Sequence, residues 1–257
     1  EFRMEGDQLK VNLWEDVALS DFGSLRDAKV QSISLIQSGQ RPVMVHALQR
    51  AADGVLEAKH LLQAQQLTLL PGAEEATAAS NGNGAASTGK LVGSGPGWYR
   101  GWMPAKDSGA MKMDPRATMI DDAQRPLTGV HLTFNDAMDA NLKTRSLNFS
   151  RGVRVGIKAV SHWEETFQAD QMDSLAVDET TLDCDQLQLT LEPRSQSRYV
   201  AAPAAMPWEV QAISGIVFRT RSDRGLFETT ASRVSYAASK DMFTLYGAPS
   251  RPAVIKS

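Results

Sequence analysis

Alternation of apolar and polar residues at a period of two is the feature that most constrains this sequence, and it is clearest in residues 225–256. Val234 and Tyr236 are separated by one serine, and a polar turn then leads to Phe243 and Leu245. Because successive side chains of a strand point to opposite faces, this pattern predicts two strands of a sheet that is buried on one face. The segment holds no arrangement of acid, base and nucleophile, so it predicts structure rather than chemistry.

Segments with a similar spacing recur along the chain, and several of them follow a second strand-like segment that ends in a turn. These segments are residues 54–69, 166–177, 181–191 and 226–236. A unit of this size cannot bury its apolar face alone, so repeated units stack and bury their faces against their neighbours. The repeats therefore predict an all-β architecture of stacked antiparallel strand pairs.

Residues 55–70 are open to two interpretations. They are rich in helix formers, and Leu56, Leu62 and Leu69 could line one face of a helix. The Asp53-Gly54 pair that precedes them is typical of a hairpin turn, and the segment aligns with the other repeats. We therefore predict two strands here rather than a helix.

Two segments interrupt the strand pattern. Residues 73–90 are of low complexity in Ala, Ser, Gly and Asn, which predicts a flexible linker between a strand segment at 1–72 and a second β segment at 91–257. Residues 93–102 contain three glycines at a spacing of two, but no helix follows them, so a phosphate-binding loop is not supported. We predict that this stretch is a loop at a strand edge, anchored by Trp98, Tyr99 and Trp102.

Composition excludes several classes of protein. The chain has 257 residues, 42% of them hydrophobic, which is enough for a large β-domain or two smaller ones. A net charge of −3 gives no support for nucleic-acid binding. The single cysteine, Cys184, excludes an internal disulfide and a cysteine metal cage. The sequence has no run of about 20 apolar residues and no signal peptide at its start, so we expect a fragment of a longer protein whose targeting signal lies elsewhere.

The polar residues that could carry chemistry favour structural roles. Glu164 and Glu165 are adjacent, and adjacent side chains on a strand point to opposite faces, so they do not form a glycosidase pair; a turn with a packed Trp163 is predicted instead. Asp183 and Asp185 flank Cys184 on what is predicted to be a solvated face, opposite a buried thiol. The histidines show no metal-ligand spacing, and we predict no catalytic residue, no metal site and no cofactor. The histidines are His46, His60, His131 and His162.

The last strands resemble the OstA-like family of lipopolysaccharide-transport proteins, which includes LptA and the N-terminal domain of LptD. That family repeats a small residue, a variable pair, an apolar residue, an aromatic, a polar turn and an apolar strand that ends in glycine. The matching residues are Ala231, Val234, Tyr236, Phe243, Leu245 and Gly247. Residues 166–177 and 54–69 match more loosely.

The resemblance implies an open, twisted OstA-like β-jellyroll, in one or two stacked segments, whose two sheets fold over a hydrophobic groove. It also implies a non-enzymatic protein of the periplasm or outer membrane that binds lipopolysaccharide or a similar lipid and carries it to the outer membrane. Other β-jellyroll modules would add at an edge strand, most plainly at residues 253–255. The predicted groove residues are Val153, Val155, Ile157, Ile216, Phe218, Val234 and Tyr236.

The same apolar rows admit another interpretation. In a closed sandwich they would form an ordinary core, and the chain would be a structural or adhesive cell-surface β-repeat protein with a dry interior. A carbohydrate-active enzyme is a third, weaker alternative. The sequence alone does not decide whether the two sheets stay apart.

Overall fold

A computed structural model of the chain describes residues 2–14, 29–39, 41–51, 53–71, 89–105, 127–141, 143–191, 208–237, 242–249 and 252–256. Within these ranges the chain forms sixteen strands and one 3₁₀ turn at Ala169–Gln171, and no helix is long and apolar enough to cross a membrane. The strands are β1 Phe2–Glu5, β2 Gln8–Leu13, β3 Val30–Ile36, β4 Val43–Arg50, β5 Leu56–Ala64, β6 Gln66–Leu70, β7 Lys90–Ser94, β8 Gly97–Pro104, β9 Leu127–Phe134, β10 Ala137–Asn141, β11 Ser146–Val160, β12 Thr180–Leu191, β13 Trp208–Ser222, β14 Gly225–Ala237, β15 Met242–Tyr246 and β16 Val254–Lys256.

The prediction of an all-β protein is confirmed, and the strands form one large, open, antiparallel sheet. Residues 55–70 form β5 and β6, as predicted, rather than a helix. The predicted hairpin turn lies between β4 and β5, where Gly54 has a φ of 88° and the Val55 amide donates to Asp53 Oδ1 at 3.0 Å. The last strands of the chain are β14, β15 and β16, also as predicted.

The sheet divides into two arms at β11. The second half of β11 pairs with β9, its first half pairs with β10, and β12 pairs with both halves. Arm I continues from β9 through β8, β5, β4 and β1, and arm II continues from β10 through β7, β6, β3 and β2. On the other side, β12, β13 and β14 pass through both arms, and β16 and β15 end arm I and arm II respectively. Each arm therefore contains ten strands or half-strands.

The long strands bend along a common line between the arms. Their pairing shifts register between Ser150 and Val153, between Asp183 and Gln186, and between Ile213 and Ile216. Two of the shifts contain residue pairs with positive φ: Arg151 and Gly152 at 59° and 57°, and Ser214 and Gly215 at 60° and 62°. Extra residues of this kind bend a strand sharply, so each long strand supplies one half to each arm.

The two arms pack on one shared core. Buried side chains of arm I, such as Leu132, and of arm II, such as Leu67, belong to the same cluster. Near the bend, the rings of Phe134 and Phe149 from opposite arms lie 5.4 Å apart. The face of each arm that carries this core is called the inner face below, and the opposite face is called the outer face.

The prediction of a strand at residues 166–177 is wrong. Residues 161–179 form a strap over the outer face of arm I, where the Trp102 indole donates to the carbonyl oxygen of Glu165 at 2.8 Å. Within the strap, Ala169, Met172 and Leu175 are the buried apolar residues. These three residues recur at a spacing of three rather than two, which is why the segment winds into turns and finds no partner strand.

The prediction of an edge loop at residues 93–102 is also wrong. This stretch includes the end of β7 and most of β8, which lie inside the sheet between β6 and β10 and between β5 and β9. Most of the predicted linker at 73–90 lies outside the described residues, and the strands on its two sides, β6 and β7, pair with each other. Glycine at position 93 permits this packing: a Cβ there would lie 2.7 Å from Met138 Cγ and 2.9 Å from Leu67 Cδ2.

Gly93→Ala is expected to lower the free energy of unfolding by about 1–3 kcal/mol, because the added methyl overpacks a closed part of the core. The control is Val92→Thr on the adjacent, outward-facing position, which is expected to change it by about 0.5 kcal/mol or less. Urea denaturation measures both. Equal stability of the two variants would contradict the packing described for β7.

Candidate functional site

The inner face of arm II consists of two apolar rows that cross the whole sheet. The first row, next to the bend, is Leu9, Leu35, Leu67, Gly93, Met138, Phe149, Leu187, Ala212, Val234 and Leu245. The second row, nearer the open side between the arms, is Val11, Ile33, Leu69, Leu91, Ala140, Leu147, Leu189, Val210, Tyr236 and Phe243. Neither row contains a charged residue.

The inner face of arm I is less uniform. Its first row is Met4, Val45, Leu62, Tyr99, Leu132, Val155, Leu182, Phe218, Thr229 and Ile255. Its second row includes Ala47, His60, Gly101, Val130, Ile157, Thr180, Thr220 and Phe227. Arm I therefore mixes apolar side chains with hydroxyl and imidazole groups.

Burial decreases from the bend towards the open side of the two arms. In the first row of arm II, Phe149 is 2% and Leu187 is 3% exposed. In the second row, Leu147 and Leu189 are only half-buried. This second row crosses nine strand intervals, which is about 43 Å at about 4.8 Å per interval. It forms a long apolar strip that is partly open to solvent.

The seven groove residues predicted from the sequence all lie on the inner face. Val153, Val155, Ile216 and Val234 are buried in the shared core, and Ile157 packs against it. The other two lie beside the ring of Phe243: the Phe218 ring is 5.9 Å from it and the Tyr236 ring 4.3 Å. Their contact with a lipid stays a prediction.

Sequence reasoning missed most of the second row of arm II. Leu147, Leu189 and Val210 each occupy an alternating segment, so the signal was present in the sequence. Alternation shows that a strand has an apolar face, but it does not show which strands share that face across a sheet. The register of the sheet supplies that information.

Four polar groups on the inner face of arm I form two pairs. His60 Nδ1 lies 2.8 Å from the Tyr99 hydroxyl, and burial lowers the pKa of His60 and raises the pKa of Tyr99. Both groups are therefore uncharged at neutral pH. Farther along the arm, the hydroxyls of Thr180 and Thr220 lie 2.9 Å apart.

The acidic residues singled out in the sequence have structural roles. Burial, together with Asp183 and Asp185, raises the pKa of the Cys184 thiol to about 12, as expected for a buried and unreactive cysteine. Glu164 and Glu165 form ion pairs with two different lysines, at 3.3 Å and 3.7 Å. The neighbouring Trp163 packs in a turn, as predicted. In the part of the chain that the structure describes, no group of three or more His, Cys, Asp or Glu could hold a metal ion.

A surface cleft of about 610 Å³ lies beside the bend, lined by Trp98, Asn135, Arg154 and Asp185 among others. Arg154 ties the carboxylates around it together, with Asp173 at 2.8 Å and Asp183 at 3.7 Å. The acidic side chains next to Arg154 therefore serve to hold the strap and the bend.

His131 connects the strap to arm I. It is 3% exposed, and its Nδ1 accepts a hydrogen bond of 3.0 Å from the Ala169 amide. Burial, and then the charge of Arg100, lower the pKa of His131 to about 4, while Asp170 opposes the shift. The ring is therefore neutral in the folded protein at pH 7, as an acceptor at Nδ1 must be.

We expect stability to fall as the pH is lowered from about 6.5 to about 4. In this window the unfolded chain binds a proton at His131 that the folded chain does not. Lowering the pH across the window therefore lowers the free energy of unfolding by about 2–3 kcal/mol. His131→Gln keeps a hydrogen-bond acceptor but has no titrating ring. The decrease in its free energy of unfolding over this pH window should therefore be smaller by that amount. Urea denaturation at several pH values measures it. The exposed His162→Gln is the control, and an unchanged pH dependence in the His131 variant would contradict the assignment.

No protein family model, curated protein or solved structure matches this chain. Its function therefore has to be inferred from the inner face of the sheet and from the resemblance of its last strands.

Proposed function

We propose that this chain binds lipopolysaccharide, or a similar lipid, through its acyl chains and takes part in carrying it to the outer membrane. The observation that carries the proposal is the half-exposed second row of arm II, which presents an uncharged apolar strip about 43 Å long. Each methylene that leaves water on such a strip contributes about 0.8 kcal/mol. A non-enzymatic carrier in the periplasm or outer membrane fits this chemistry.

The arrangement of the strands supports an OstA-like β-jellyroll. Ten strands or half-strands in each arm pack over a common core, which is the layout that the resemblance implies. The family-like residues also occupy meaningful positions, because Val234 and Leu245 belong to the first row of arm II and Tyr236 and Phe243 to the second. The motif therefore places apolar side chains along the proposed groove.

The two ends of the sheet support addition of further modules. At one end Leu9 and Val11 are 66% and 47% exposed, and at the other Phe243 and Ile255 are 39% and 63% exposed. Both pairs continue inner-face rows to an edge strand. An edge with unpaired backbone groups and a continuing apolar face suits strand addition, which would extend the strip from one β-jellyroll module into the next.

A second candidate is a structural or adhesive β-repeat protein at the cell surface. The observation that favours it is the burial of inner-face residues near the bend, where Leu67 and Phe149 are 0% and 2% exposed. Near the bend the interior is a closely packed apolar core. The two candidates therefore differ in what the second row does.

Leu189→Asp is expected to abolish capture of lipopolysaccharide, because it places a charge in the middle of the apolar strip. The matched control is Gln188→Asp, one residue away on the outer face of the same strand, which should bind like the wild type. A photocrosslink between the purified protein and lipopolysaccharide measures capture, and circular dichroism reports folding. A wild-type protein that never captures the lipid would support the structural candidate.

Leu9→Lys together with Ile255→Lys is expected to weaken self-association, because each charge lies on an exposed edge where an apolar row would continue into a partner. Sedimentation velocity over a range of concentrations measures the assembly. The control is Lys10→Glu, which changes an outward-facing charge on the same edge strand. If the double variant associates as the wild type does, strand addition at these edges is wrong.

A further inference from the structure

We infer that the inner face selects its lipid by the uncharged groups that join the acyl chains to the headgroup, namely ester or amide carbonyls and hydroxyls, and not by phosphate. This inference rests on the lipid-binding function proposed above and names what the site recognises. It follows from the difference between the inner face of arm I and the inner face of arm II. The second row of arm II is apolar, whereas the second row of arm I holds His60, Thr180 and Thr220.

His60 supplies a hydrogen-bond donor. Tyr99 is half-buried, and among the described contacts its hydroxyl has one partner that can accept its proton, His60 Nδ1 at 2.8 Å. A neutral imidazole with an acceptor at Nδ1 carries its proton on Nε2. The described contacts give Nε2 no partner, and His60 is half-buried on the inner face. A lipid carbonyl beside it would accept this proton.

The threonine pair supplies an acceptor. The Thr220 hydroxyl donates to the carbonyl oxygen of Glu179 at 3.4 Å, so the proton between the two threonines comes from Thr180. Thr180 then keeps acceptor capacity on its oxygen, which suits a lipid hydroxyl or amide N–H. The hydrogen-bonded series of Thr180, Thr220 and the Glu179 carbonyl therefore leaves one free acceptor, the Thr180 oxygen, on the inner face of arm I.

The described inner face offers no cationic group that could bind phosphate. The described residues of the four inner rows include no lysine or arginine. The cations of arm I occupy the outer rows instead: Lys59 pairs with Glu164, and Arg219 pairs with Glu228 at 2.9 Å. Proteins bind phosphate through such cations or through helix N-termini, and the described chain has no α-helix. A phosphate of the bound lipid therefore stays in solvent.

The spacing of the two polar groups favours a lipid with several acyl chains. From His60 on β5, four strand intervals lead through β8, β9 and β11 to Thr180 on β12. At about 4.8 Å each this is about 19 Å, too far for one carbonyl to reach both groups. Separate linkages, each beside its own acyl chain, can use the two groups together.

The test is displacement of a fluorescent fatty acid from the full chain by three lipids that each carry two eight-carbon chains. They are dioctanoylglycerol, its phosphate ester phosphatidic acid, and the dioctyl ether that lacks carbonyls. We expect the two esters to bind within about threefold of each other, and the ether about fivefold more weakly, which corresponds to one net hydrogen bond. His60→Leu should remove the preference for ester over ether, because His60 is the group that donates to an ester carbonyl.

Two further variants keep the result interpretable. His60→Gln retains a donor and should retain the preference, and His46→Leu on the outer face should behave as the wild type does. Phosphatidic acid binding more than about tenfold tighter than the neutral ester would overturn the inference, as would equal binding of ester and ether by the wild type. If none of the lipids displaces the probe, the proposed lipid-binding function itself fails.

Discussion

The common bend of the long strands is the constraint on which the rest of the structure depends. Extra residues shift the register at the same line in the pairings of β11 with β12, β12 with β13, and β13 with β14. Without these bulges the strands would continue straight, and their alternating apolar side chains would form one broad face with nothing to cover it. The bend turns each strand back on itself, so the sheet covers its own apolar face.

The alternation of apolar and polar residues is clear in an arm that is covered on one face and weaker in an arm that is covered on both faces. Among the described residues, arm II is packed on its inner face, and its outer positions carry polar residues such as Thr68, Asn148 and Gln188. In arm I the strap also covers the outer face, where Trp102 and His131 are buried. Arm I therefore needs apolar and small residues on both faces, and its inner face can carry polar groups without losing its core.

Local patterns in the sequence predict the all-β class, the turn at Asp53-Gly54 and the strands of residues 225–256, because period-two alternation and turn chemistry act over a few neighbouring residues. These local patterns fail where packing across the sheet determines the structure of a segment. Gly93 belongs to a strand because Leu67 and Met138 fill the space beside it, and a glycine-rich sequence carries no local sign of this. The strand prediction at residues 166–177 fails for a related reason, because this part of the strap packs on the outer face of strands that are remote in sequence.

The same distinction applies to the candidate site. Alternation identified apolar positions of β11, β13 and β14 that do lie on the inner face, such as Val155 and Phe218. It did not separate the closed first row from the half-exposed second row, because neighbouring inner positions of one strand have the same pattern. That separation depends on distance from the bend. Since the bend lies at Gly152 and Gly215, inner residues close to these glycines are core, and those farther along each half-strand are partly open to solvent.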